Sequence, residues 1–437
     1  MRFILSRYII ENGQIADPKT NRVYESDILI TDEKIEKILP GKDMAVYMSE
    51  RDIQAERVDA TGCIVMPGLV DVHVHFRDPG FTHKEDIHTG SLAAAAGGVT
   101  SVVLMANTKP CVDNEETLGY VIEEGKKTDI HIYTCCSVTK DLKGEQLTDM
   151  KRMIELGAVG VTDDGIPLMD EELLRKAMRI SSQLKVPMSL HEEDKTKISE
   201  NGINRGKASE YYGIGGSPSE AEVSLVARDL EVALEENAVL NIQHISSKEA
   251  VELVRAAKKR AKDNSIHAEA TPHHIVLTEQ SVIEKGTLAK MNPPLRTEAD
   301  RLAIIAGLRD GTIDLIATDH APHARDEKAQ EITKAPSGIT GLETSLSLCY
   351  QELVEKGHLT AAELAAKMSL NPATMYGIDA GMIEEGECAD LCVFNPSAEW
   401  VYDKTCSKSA NSPFFGEKLR GRVMCTICGG RIVFKVE

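Results

Sequence analysis

No run of Lys and Arg stands out anywhere in the 437 residues, and the formal net charge is −19. A nucleic acid presents a phosphate backbone that needs a basic face, so nucleic-acid binding is not expected. An anionic small molecule stays open, because a few arginines or metal ions can set the potential of one site. Also missing is any uninterrupted apolar stretch of the ~18 residues a membrane span requires. Met1 to Asp17 breaks its short apolar runs with Arg2, Arg7, Glu11 and Asn12, and has no small-residue cleavage site. That is unlike a secretory leader, so a cytoplasmic location away from membranes is the expectation. The ten cysteines follow no regular spacing, which suits reduced thiols. One Cys-x-x-Cys, Cys425 and Cys428, lacks the second pair of a zinc ribbon. In a strand over Arg422–Cys428 its two side chains also face opposite ways, so the pair reads as structural. No Gly-x-Gly-x-x-Gly follows a strand, no repeat of 20–50 residues is evident, and no low-complexity tract is present.

What is present is enough chain for a barrel of roughly 250 residues plus a second unit. Hydrophobic content of 42% and charged content of 27% are ordinary for a globular protein. The middle alternates apolar, β-branched runs with helical patterns. The runs fall at Gly68–His75, Thr100–Asn107, Ile130–Val138, Ala158–Asp164, Val186–His191, Ala238–His244, Ile266–Thr271 and Ile313–Asp319. Helices are predicted at Glu171–Leu184, Glu220–Glu236 and Lys248–Lys262, among others. Eight strands alternating with helices favour an α/β fold of the (β/α)8 TIM-barrel type, with a doubly wound sheet as the alternative. Both ends of the chain are β-rich and turn-punctuated: Phe3–Ile10, Asp27–Thr31, Lys34–Leu39 and Val58–Ala60, then Ala389–Phe394 and Gly421–Val436. A small β-sandwich built from residues 1–66 plus 385–437, around a barrel of 67–384, is the expected organisation. Tyr212–Pro218 and His323–Thr340 read as long loops, positions that commonly contact substrate.

Chemistry concentrates where these strands end. The first ends His73-Val-His75, and a period of two puts both imidazoles on one face. Others end in Asp163-Asp164, His191, His244 and Asp319-His320. One such residue would be unremarkable; five strands ending this way at the C-terminal mouth of a barrel point to a metal site. His and Asp form a suitable nitrogen and oxygen set for zinc. Six candidate ligands exceed the three of a usual single catalytic zinc and favour two ions.

Four motifs then carry a family resemblance: Asp71-Val-His-Val-His-Phe-Arg-Asp-Pro-Gly80, Met105-Ala-Asn-Thr-Lys-Pro110, Asn292-Pro-Pro-Leu-Arg296 and Ala317-Thr-Asp-His-Ala-Pro-His323. In this order they resemble the dihydroorotase family of cyclic amidohydrolases, in the bacterial type related to the multifunctional pyrimidine enzyme. The resemblance implies interconversion of N-carbamoyl-L-aspartate and (S)-dihydroorotate in pyrimidine synthesis, with two Zn2+ per subunit. It implies His73, His75 and Asp319 on the first metal, His191 and His244 on the second, and Asp164 between them. Some members bridge with a carboxylated Lys, but no Lys lies between Leu156 and Pro167. The resemblance makes Asp319 a proton shuttle between the attacking hydroxide and the leaving nitrogen. It places Arg77, Asn107 and His323 on the substrate carboxylate, and Asn292 with backbone groups near Ser337 and Gly338 on the ring. Ala106, Ser337 and Glu192 depart from the family pattern without removing a ligand. His273 and His274 read as supporting or packing residues; His83, His88, His131, His267 and His358 read as structural. A homodimer is expected from the frequency of closed homo-oligomers, and association with aspartate carbamoyltransferase from the resemblance. An allantoinase or dihydropyrimidinase-like enzyme, or a catalytically dead homologue, are the alternatives.

Overall fold

A computed structural model describes residues 6–436. Eight strands pair in parallel and in chain order: β1 (Leu69–Val74), β2 (Val99–Leu104), β3 (His131–Ser137), β4 (Gly160–Thr162), β5 (Met188–Leu190), β6 (Leu240–Ile242), β7 (Ile266–Ala270) and β8 (Leu315–Ile316). All eight coincide with the apolar runs of the sequence, each trimmed at its end. The ring closes beyond the last regular pair, where His75 N–H donates to His320 C=O at 2.9 Å and Val74 bridges His320 in parallel. The fold is therefore the TIM barrel, not the doubly wound sheet.

The helices between strands form for local reasons. In Glu171–Leu184, Asp170 caps the N-terminus by accepting from Leu173 N–H, and Glu171 and Glu172 complement the dipole. Leu174, Ala177, Met178 and Ser181 repeat at helical spacing and are buried against the barrel. Burying a Leu or Met side chain is worth about 1.5–3 kcal/mol. Lys185 ends the helix in the left-handed region at φ 58°. At the bottom of the barrel the helix Asn371–Tyr376 acts as a plug, and Tyr376 packs with Val70, Val103 and Cys135. A Cβ at Gly160 would stand 2.7 Å from the Tyr376 ring, so β4 needs glycine there.

The two chain ends build a pair of sheets. One holds Lys34–Leu39, Asp27–Thr31, Arg7–Glu11 and Glu56–Asp59. The other holds Arg431–Lys435, Lys418–Cys428, Leu391–Val401, Ile64–Pro67, Gln14–Asp17 and Arg22–Glu25. Ile10, Ile28, Ile30, Val65, Leu391, Val393 and Ile427 share one apolar cluster between them. Alternation turns the next residues, Met66, Cys392 and Phe394, into the cluster that covers the barrel. The middle of the six-stranded sheet, Ile64–Pro67 and Leu391–Phe394, is thus buried on both faces.

Several sequence expectations need correction. Of the strand expected at Phe3–Ile10, the described part is Arg7–Glu11, and residues 3–5 lie outside those described. The expected strand Val58–Ala60 is Glu56–Asp59, set by parallel pairing with Arg7–Glu11. Gly421–Val436 is two strands, because Gly429 and Gly430 turn the chain at φ 54° and 70°. Cys425 packs in the sandwich cluster and Cys428 in the barrel-side cluster, on opposite faces as their spacing requires. Among the described residues no helix is long and apolar enough to cross a membrane.

Candidate active site

Six of the predicted residues meet at the C-terminal mouth of the barrel. His73 belongs to β1, and His75 follows it directly. Asp164, His191, His244 and Asp319 follow β4, β5, β6 and β8. His73 Nε2 lies 3.5 Å from both Asp164 Oδ1 and Asp319 Oδ1. His75 Nε2 lies 2.9 Å from Asp319 Oδ1 and 3.5 Å from Asp164 Oδ2. His191 Nδ1 and His244 Nε2 stand 2.9 Å apart and 3.8 and 3.9 Å from Asp164 Oδ1. Asp164 therefore belongs to both groups, His73–His75–Asp164 and Asp164–His191–His244, and His73 with His244 and Asp319 makes a third. Its neighbour Asp163 points elsewhere, accepting from Val138 N–H, Thr139 N–H and the Thr139 hydroxyl.

The donor set fits a pair of divalent cations. All six side chains are buried, and His73 Nε2 has no hydrogen-bond partner despite two carboxylates nearby. Two imidazole nitrogens at 2.9 Å aim their free electron pairs at common space, which a shared cation satisfies better than a proton. Burial disfavours charge throughout, yet the carboxylates of Glu269, Asp319 and Asp164 outweigh it and raise the His73 pKa. Conversely, the surrounding imidazoles overcome burial to hold Asp164 and Asp319 below the usual carboxylate range.

Supporting contacts fix the rings. His73 Nδ1 pairs with Glu269 from β7, His75 Nδ1 meets Asn107 Oδ1 at 2.9 Å, and His191 Nε2 lies 3.5 Å from Glu193. Each ties the nitrogen that faces away from the centre. Glu269 also accepts from Asn241 Nδ2 and from His244 N–H. The sequence reading missed Glu269 and Asn241. The available signal was an acidic residue in the middle of an apolar strand, where burial demands a partner. His273 and His274 stay outside the donor groups; His274 is spent on Thr271 and the Pro293 carbonyl. His267 pairs with Asp314 at 2.6 Å, and His83 and His88 are exposed.

The predicted substrate contacts divide. Arg77 is in the left-handed region at φ 60°, and its Nε donates to Pro322 C=O. Its terminal nitrogens make no hydrogen bond among the described residues. Asn107 donates to Asp164 Oδ2 at 2.8 Å as well as meeting His75, so its side chain also supports the ligands. Asn292 Nδ2 donates to Glu193 at 2.9 Å and reaches His191. His323 Nε2 donates to Ser337 C=O at 2.8 Å. The Gly338 N–H donates to Lys290 C=O, so that amide is already used within the loop. His244 and Asp319 share positive φ, 30° and 47°, with Arg77. Three non-glycine residues of one mouth in that region carry a backbone cost that the surrounding contacts must hold.

The barrel, its mouth of histidines and aspartates, and the chain's similarity agree on a class: the chain belongs to the amidohydrolase family, whose model matches residues 64–433. Within that family its relatives include several dihydroorotases. The Dihydroorotase of Clostridioides difficile is 50% identical over 426 residues, 98% of this chain and 99% of that protein. The Dihydroorotase of Lactococcus lactis is 49% identical over 430 residues, with the same coverage of each chain. In fold, the L-hydantoinase of Arthrobacter aurescens superposes with a TM-score of 0.85 over 99% of this chain and 96% of its own, at 24% identity. The dihydropyrimidinase of Brevibacillus agri gives 0.82 at 22% identity, over 98% and 95%. Those two likenesses concern architecture alone.

Proposed function

We propose that this protein is a zinc-dependent dihydroorotase, closing N-carbamoyl-L-aspartate to (S)-dihydroorotate and water, and opening it again, in pyrimidine synthesis. The observation that carries the reading is the convergence of four histidines and two aspartates at one mouth, with Arg77 beside them. His73, His75 and Asp319 would hold one Zn2+, His191 and His244 a second, with Asp164 shared. Zn2+ there supplies Lewis acidity toward the ring carbonyl and lowers the pKa of water.

The remaining work belongs to side chains. Asp319 accepts the proton of the attacking water and delivers it to the ring nitrogen as the amide C–N bond breaks. The carbonyl carbon keeps the hydroxyl, and the nitrogen leaves as a neutral group. Cyclisation runs the same steps in reverse. Arg77 offers a planar fork that matches the substrate carboxylate, and burial within the mouth strengthens that pairing. Asn107 and His323 flank the same anion. Asn292, with the backbone around Ser337 and Gly338, borders the ring once the loop adjusts to ligand.

The test is carbamoyl-aspartate cyclisation with metal content measured on one sample. Turnover should rise with zinc as the two sites at the mouth fill. Arg77→Met should lose about 10²-fold in kcat/KM for dihydroorotate, the worth of a charged hydrogen-bonded pair. It should lose little for a cyclic amide without the carboxylate. Fully metallated protein that does not turn over dihydroorotate, or equal losses on both rings, would overturn the reading.

A further inference from the structure

We propose a second metal site, at the seam between the barrel and the sandwich, in which His131, Cys388, Asp390 and Cys428 bind one thiophilic divalent cation of the zinc class. It lies at the other end of the barrel from the active site. His131 opens β3, so the barrel's C-terminal mouth is a full strand away, roughly 20 Å at the usual rise per residue. Cys388 and Asp390 lead into Leu391–Val401, and Cys428 ends Lys418–Cys428.

The donors are already gathered. His131 Nε2 is 3.1 Å from Asp390 Oδ2, and Cys388 Sγ is 3.6 Å from Asp390 Oδ1. Ligand atoms of His131, Cys388 and Asp390 all fall within 4.8 Å of one another. The imidazole of His131 also lies against the Cys428 thiol, which in turn reaches Asp390. Ligand atoms around a tetrahedral zinc, with bonds of about 2.0–2.3 Å, sit about 3.3–3.8 Å apart. Small adjustments of His131, Cys388 and Asp390 meet that spacing, and Cys428 completes the set by turning its thiol from the Thr100 carbonyl. Two sulfurs, one imidazole and one carboxylate make a complete set with no open position, the mark of a structural site. Asp390 is buried, while His131 keeps 40% of its side chain exposed. A cleft of about 350 Å³, lined by Thr128, Asp129, His131, Cys428 and Arg431, gives an ion its approach.

The backbone around the donors is fixed independently of any ion. Gly68 N–H donates to Asp390 C=O, Gly430 N–H to Ala389 C=O, and Gly429 N–H to Asp390 Oδ1 at 2.7 Å. The donors come from distant parts of the chain, so a bound ion would clip β3 to both C-terminal strands. Binding releases the two thiol protons and any imidazole proton to solvent, leaving two thiolates, one carboxylate and a neutral imidazole on the cation. Cys425 takes no part, since it faces the sandwich core.

The experiment is titration of chelator-treated, phosphine-reduced full-length protein with Co2+. The active site offers only nitrogen and oxygen, so thiolate-to-cobalt charge transfer in the near ultraviolet comes from outside it, and the Cys388 and Cys428 variants separate the seam from the Cys111–Asp113–Asp141 cluster. The expected result is such a band, whose final intensity corresponds to one cobalt bound by thiolate per chain once the two sites at the mouth are also filled. Cys388→Ser should weaken it, Cys388→Ser/Cys428→Ser should abolish it, and Cys406→Ser, altering an exposed thiol, should leave it intact. Turnover on zinc-loaded Cys388→Ser should match wild type. Wild-type protein that shows only the weak bands of nitrogen and oxygen ligands would overturn the proposal, even if the double variant fails to fold. So would a band unchanged in Cys388→Ser. Neither outcome touches the catalytic reading, whose readout is turnover.

Discussion

Two acidic residues at the centre do different work, and substitution separates them. Asp319 sits 2.9 Å from His75 Nε2 and 3.5 Å from His73 Nε2, so it can both touch a metal and face a reacting nitrogen. Asp319→Asn keeps the shape but cannot accept the proton. Turnover should fall by about 10²–10⁴-fold, the usual worth of general acid–base catalysis, with the circular dichroism spectrum unchanged. Near-normal turnover would refute the shuttle. Glu269 touches His73 only from behind and shares its other oxygen with Asn241. Glu269→Gln should weaken metal affinity by about 10–100-fold, as loss of such a supporting carboxylate does. Excess zinc should restore turnover in Glu269→Gln but not in Asp319→Asn. Failure of that rescue would place Glu269 in the chemistry itself.

At the scale of elements, the loop from His323 to Thr340 is held by two buried ammonium groups. Lys328 Nζ donates to the carbonyls of Pro336 and Gly338, both at 3.0 Å. Lys290 Nζ donates to those of Ile332 and Ala335 at 2.7 and 2.8 Å. Burial brings the Lys328 pKa down to about 7, so its charge is held there at a cost that the carbonyls offset. Lys328→Met leaves the Pro336 carbonyl without a donor, at about 1–3 kcal/mol if it stays dry, while Gly338 C=O keeps only Asn411 Nδ2 at 3.0 Å. The loop should open instead. KM should rise several-fold and amide exchange should quicken across 330–338; unchanged exchange would show that the clamp is dispensable.

The same scale shows what the sequence reveals. The eight barrel strands were legible because apolar runs between turn signals are a local property. Their ends were not: Ile313–Asp319 reads as one run, yet regular pairing stops at Ile316, and Asp319 turns to φ 47° to aim its carboxylate. The six residues that meet at the mouth were legible for a related reason, since strand ends carry them. Glu269 was not, because its partner His73 is 196 residues away and only barrel closure brings them together. Asn107 and Asn292 were legible as residues of the site, while their bonds to Asp164 and Glu193 depend on how separate loops meet.

For the whole molecule, the centre is also a fastener. Its six donors come from five strands, β1, β4, β5, β6 and β8, so no fragment of the barrel can assemble it alone. Without cations, buried carboxylates and imidazoles must settle their charges among themselves in a dry pocket. Ions that bind only the folded barrel stabilise it by mass action, about 4 kcal/mol for one site at a thousandfold excess over Kd. At an unfolding entropy of about 2.1 cal/mol/K per residue, one kcal/mol moves the melting temperature of a chain of this size by about 1 °C, and two such sites act together. Stripping zinc should therefore lower melting by on the order of 10 °C, and adding it back should restore the loss. Using Cys388→Ser/Cys428→Ser protein removes any contribution from the seam, so the shift then reports the catalytic centre. Scanning calorimetry of the stripped and reloaded protein decides the matter. Identical melting would mean that the barrel closes without its ions, held by the His75–His320 contact and the plug at Tyr376 alone.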